Sequence, residues 1–221
     1  MQSIAAVIAT WVTVAVDQCL RGLVGSAVGV PWRGMALDAA HAWLPVAVQG
    51  QGSPSTVGAV ALMTLAGAVA APLLALGLHL LVTAFRSAGW LRGLALAWLV
   101  AASLWVPTAL AAAVFPAASG PVAELYARLG EPQSGRWAAL GLGLVLLWLV
   151  AGPLSAAAVA VGRNWMRVDG VEFRRRLVRV VAGWPGLVAA AVFLGVAGWA
   201  RTPWMAPWPF AVLAAMHLRT R

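Results

Sequence analysis

The chain has 221 residues, of which 62% are hydrophobic and only 10% charged, far below the quarter that soluble domains carry. So few charges cannot clothe so much apolar surface in water, so the solvent of this chain is lipid. The net charge of +9 comes from arginine alone, with no lysine; the arginines sit at the ends of apolar runs and no aromatic-basic sheet pattern accompanies them, which argues against nucleic-acid binding and for anionic headgroups.

A span needs about 20 apolar residues, and the expected fold is an all-α bundle of six transmembrane helices, five being the alternative. The first span runs from Ile4 to Val30. It lacks the basic start of a signal peptide and is read as retained. Asp17, Gln18 and Arg21 interrupt it, and Asp17 and Arg21 share a helix face at i,i+4. Two readings stand for this pair: an intramembrane substrate or proton site, or a self-neutralising pair near a headgroup layer with the span ending around Leu20. Gly25 and Gly29 have the small-xxx-small spacing of close helix packing.

Residues 31–45, PWRGMALDAAHAWLP, are expected to form a short interfacial helix anchored by Trp32 and Trp43, followed by an uncharged loop. On that helix Asp38 and His41 would share a surface face. No G-x-S-x-G, H-E-x-x-H or phosphate-binding glycine loop accompanies them, and no catalytic residue or cofactor is assigned. The single cysteine, Cys19, excludes an internal disulfide.

Span two covers Val57–Phe85 and carries His79 and Pro72. His79 has one conceivable partner at similar depth, His217, for bis-histidine haem ligation; a hydrogen bond across a helix interface is the simpler reading. Span three is Gly93–Phe115. After it, PVAELYARL (121–129) reads as a short helix with a Glu124–Arg128 pair. Span four is Trp137–Val161, span five Val180–Ala200, and a marginal sixth runs from Pro203 to Leu218, which crosses a thinned bilayer or only dips in. Prolines 72, 107, 153 and 185 fall once in each of spans two to five, pointing to an irregular bundle.

The segment 162–179 holds Arg163, Arg167, Arg174, Arg175, Arg176 and Arg179. Counting it with Arg86, Arg92, Arg219 and Arg221 places ten arginines on one side, against Arg33, Arg128, Arg136 and Arg201 on the other. The positive-inside rule then sets both termini in the cytoplasm. VEFRRRLVR can form a helix with Val171, Phe173, Leu177 and Val178 facing down and Arg174–Arg176 outward, a docking surface for anionic lipid or for another subunit. The chain thus reads as a multi-pass protein of a bacterial cytoplasmic membrane. Its expected role is a non-catalytic subunit of a transport, secretion or envelope-biogenesis assembly; a small permease or channel is the alternative, and an intramembrane enzyme or haem protein a second one.

Overall fold

A computed structural model describes residues 2–38, 44–49, 56–85, 89–112, 125, 130, 133–163, 170–188, 191 and 208–220. The chain is mostly helical. Helices α1 (Gln2–Ala27), α2 (Val57–Ala84), α3 (Gly89–Ala112) and α4 (Gln133–Arg163) are long, and α5 (Val171–Val178) and α6 (Trp208–Arg219) are short. Stretches within α1 to α4, four in all, are long and apolar enough to cross a membrane. The segment 121–129, apart from the helical Leu125, and most of the expected fifth span lie outside the described residues.

Helices α1, α2 and α3 pack on one another, and α4 packs on α3. Small residues line the contacts: Ala71 and Ala75 of α2, Ala102 of α3 and Ala151 and Ala158 of α4 are all fully covered. In lipid no hydrophobic force drives helices together, so close backbone approach must supply dispersion contacts instead, and alanine and glycine permit it. The outward faces of α2 and α4, by contrast, expose Leu62, Leu73, Leu80, Leu144 and Leu149, as helices solvated by lipid do. Prolines 72, 107 and 153 lie inside unbroken helices. Pro185 lacks an N–H for the Val181 carbonyl, and its ring would crowd that oxygen. A π-helical turn, Arg179–Gly183, precedes it, with the Trp184 N–H donating to the Arg179 carbonyl, and so absorbs the mismatch.

Helix α1 ends earlier than its apolar run. The Val30 N–H donates to the Gly25 carbonyl and the Gly29 N–H to the Ser26 carbonyl, a Schellman cap with Gly29 at φ 88°. Gly25 and Gly29 therefore do not share a helix face, and the expected small-xxx-small pair is not formed.

The expected interfacial helix is replaced by a β-hairpin. Strands β1 (Trp32–Asp38) and β2 (Leu44–Gln49) pair antiparallel, with an irregularity between Trp32 and Gly34. Gly34 has φ 125°, which a helix cannot accommodate, and Pro45 with alternating Val46 and Val48 favours extended backbone. Asp38 thus ends a strand; its expected partner His41 lies outside the described residues. A two-stranded hairpin is marginal alone, and this one lies along the end of α1. The Trp32 ring covers Gly22, Cys19 lies 3.4 Å from the Met35 sulfur, and the Trp32 N–H donates to Ser26 Oγ. Trp32 is thus a packing residue of α1 rather than a free interfacial anchor. Because open strand edges are not tolerated in hydrocarbon, the hairpin and the last turns of α1 beside it stand outside the bilayer core.

Candidate functional site

Three polar sites were expected from the sequence: the Asp17–Arg21 pair, His79 and the arginine segment. The structure gives each a distinct setting and adds a fourth around Arg219.

Asp17 is only 1% exposed. It faces Gly67 of α2, where an added Cβ would lie 2.8 Å from the carboxylate carbon and 3.0 Å from the Asp17 Cα. The amide of Gln18 donates to it at 3.4 Å, and the Trp105 indole of α3 supplies a further hydrogen bond. Arg21, one turn on, acts on it as a neighbouring opposite charge. Three helices therefore meet at one layer. From Gly67 to Ala84, and likewise from Gly89 to Trp105, the rise is about 25 Å at 1.5 Å per residue. With a core roughly 30 Å thick, the layer sits near the hairpin-side edge of the membrane. Helix α1 continues past Leu20 to Ala27, beyond the point at which the headgroup-layer reading ends the span.

The remaining buried hydroxyls are bonded to backbone. Thr13 donates to the Ala9 carbonyl and Thr64 to the Val60 carbonyl. Ser155 Oγ lies 2.6 Å from the Ala151 carbonyl and 2.8 Å from that of Met216, so α4 is tied to α6; the Thr220 hydroxyl donates to the same Met216 oxygen.

His79 is half-buried on α2, its carbonyl accepting from Thr83 and its Nδ1 covered without a hydrogen-bond partner. His217 belongs to α6, which packs on α4 and the π turn, whereas α2 packs on α1 and α3. Among the described residues no three His, Cys, Asp or Glu side chains converge as a metal site.

In the arginine segment, α5 forms over Val171–Val178 with Gly170 before it. Leu177 and Val178 are buried, Leu177 lying on Gly162 at the end of α4. Val171, however, is half-exposed, and Arg174 and Arg175 are partly covered while Arg176 is exposed. The downward face is therefore narrower than expected. On the exposed side Glu172 lies 4.0 Å from Arg175 and 3.3 Å from Arg179. Arg163 closes the last turn of α4, where a cation favours the helix dipole. Arg167 lies outside the described residues.

The setting of Arg219 was not legible in the sequence. Its guanidinium lies against Gly152, with Nη2 2.9 Å and Nε 3.2 Å from the position of an added Cβ, and 5.3 Å from the Trp148 ring centroid. Gly152 is about 16 Å along α4 from Arg163, the middle of that span. The contact order, Met216 with Ser155 and then Arg219 with Gly152 and Trp148, ascends α6 while descending α4. The 12 residues of α6 cover about 18 Å, and residues 203–207 of the expected sixth span lie outside the described residues. The expectation that the HLRTR tail stands beyond the membrane with the cytoplasmic arginines is thus not met by Arg219. Compared with known proteins, the chain matches no family model, no curated protein and no solved structure.

Proposed function

We propose that the chain is a non-catalytic, multi-pass subunit of a larger assembly in a bacterial-type cytoplasmic membrane, serving transport, secretion or envelope biogenesis. The observation that carries this reading is the use made of buried polar groups. Asp17, Thr13, Thr64 and Ser155 are all closed into helix contacts or backbone hydrogen bonds, which is how a packing module spends polarity and not how a permeation path does. Arg86, Arg92 and the six arginines of 162–179 orient the bundle, with the N-terminus, the α2–α3 turn and the α4–α5 segment in the cytoplasm. Helix α5 lies at that face, where its arginines grip anionic headgroups.

Purification from native membranes in mild detergent tests the reading. A defined set of membrane proteins should accompany the chain in fixed stoichiometry, and a chain that always emerges alone overturns it. Replacing Arg174, Arg175 and Arg176 together by Gln should leave that set intact while weakening retention on vesicles rich in anionic lipid. Loss of the partners instead would make α5 a protein-docking surface.

A further inference from the structure

Arg219 is a charged side chain that the packing account leaves incomplete. Its guanidinium lies at the middle of α4 on the Trp148 ring, and its Nε is covered without a hydrogen-bond partner. An arginine at that depth requires an opposite charge or a polar cavity. The chain has six acidic residues, and among the described residues none pairs with Arg219. Asp17 is enclosed by Gly67, Gln18 and Trp105 and is reached by the charge of Arg21; Glu172 pairs with Arg175 and Arg179. Glu124, Glu131, Asp169 and the side chain of Asp38 lie outside the described residues, and neither α4, α6 nor the stretch 189–207 contains an acid.

The surface around Arg219 is apolar and uncovered. Phe210 and Leu218 on α6 are each 64% exposed, and Ala214 between them is exposed too; Trp148 and Val145 on α4 are likewise exposed. Among the described residues α6 runs beside α4 for about 18 Å.

We infer that the α4–α6 flank is the docking face for a transmembrane helix of another subunit, and that this helix carries an aspartate or glutamate near its midpoint to pair with Arg219. The inference rests on the subunit reading above and specifies its partner. Trp148 supports the guanidinium from one side by cation–π attraction, while Gly152 leaves room for it against α4. The carboxylate arrives from the open side, where arginine's planar fork can accept it in a bidentate pair.

The test uses the full chain in its native membrane, with a photo-reactive benzoylphenylalanine in place of Leu218. Irradiation should join position 218 to a partner segment, and mass spectrometry of the joined peptide should place an Asp or Glu in the central third of that span. Arg219→Gln should lower copurification of this partner by about tenfold or more, as removing one member of a buried pair does. Arg219→Lys should retain most of it, and changing the partner's acid to Asn should add nothing to the Arg219→Gln loss. The inference fails if the joined span has no acidic residue, or if Arg219→Gln, folded as judged by its melting curve, retains the partner in full. Absence of any partner with the unaltered chain would instead remove the subunit reading itself.

Discussion

Gly67 shows how far a single side chain governs this bundle. Asp17 can be buried because α2 offers no Cβ at the point of contact, and the atoms that a methyl would meet include the Asp17 Cα at 3.0 Å. Backbone cannot swing aside as a side chain can, so Gly67→Ala must push α1 and α2 apart and loosen the hydrogen bonds of Gln18 and Trp105. Overpacking of this kind costs about 1–3 kcal/mol. Gly77, on the same helix, has nothing within 4 Å of an added Cβ. There alanine should be neutral or stabilising by up to about 1 kcal/mol, through its better helix propensity. Unfolding midpoints of the two variants in mixed detergent micelles should move in opposite directions or differ clearly. Equal midpoints would mean that the Asp17 layer is looser than its geometry states.

At the scale of the element, the hairpin is where reading the sequence and observing the structure part company. The long helices were legible because their signal is cumulative: some twenty apolar residues bounded by Arg86, Arg92 or Arg163 admit few alternatives in lipid. Residues 31–49 carry no such redundancy. Trp32, Asp38 and Trp43 suit an amphipathic helix, and the decisive features were Gly34, Pro45 and the alternating Val46 and Val48, whose weight shows only once the strands pair. Nor could the sequence reveal that Trp32 would find its seat on Gly22, a contact made between elements rather than within one. Asp17 was legible as a costly residue but its layer was not, since Gly67 and Trp105 are distant in the chain. The hairpin's dependence on α1 gives a prediction. Gly22→Val places carbon atoms where an added Cβ already lies 2.6 Å from three atoms of the Trp32 ring, so the hairpin should lift from α1. Cys19, now beside Met35, would be uncovered. Because it is the only cysteine in the chain, maleimide labelling reports it without background, and its rate should rise severalfold in the variant. An unchanged rate would mean that the hairpin is held by β2 and not by the Trp32 ring.

At the scale of the whole molecule, charge and packing divide the work of specifying the fold. Apolar length decides that helices cross, but not in which direction, because a helix of Leu and Ala is as well solvated one way up as the other. Direction comes from the arginines that remain outside, and the structure changes which of them may be counted. Arg219 belongs to the interior of the α4–α6 contact, so the orienting set rests on Arg86, Arg92 and the arginines of 162–179, opposed by Arg33, Arg128, Arg136 and Arg201. Most of that set lies in the α4–α5 segment, and α5 buries Leu177 and Val178 against the bundle. The exposed Trp90 at the start of α3 and Trp137 near the start of α4 mark opposite boundaries of that bundle, as aromatic belts do. Single cysteines placed at Trp90 and at Gly130, in a Cys19→Ser background, make this testable in intact cells with the outer barrier opened. A membrane-impermeant maleimide should label position 130 and leave position 90 unlabelled until the membrane is permeabilised. Replacing Arg174, Arg175, Arg176 and Arg179 by Gln removes half the orienting arginines at once, and a mixed population, with position 90 partly labelled, is the expected result. If the variant keeps one orientation, Arg86, Arg92, Arg163 and Arg167 suffice to set it.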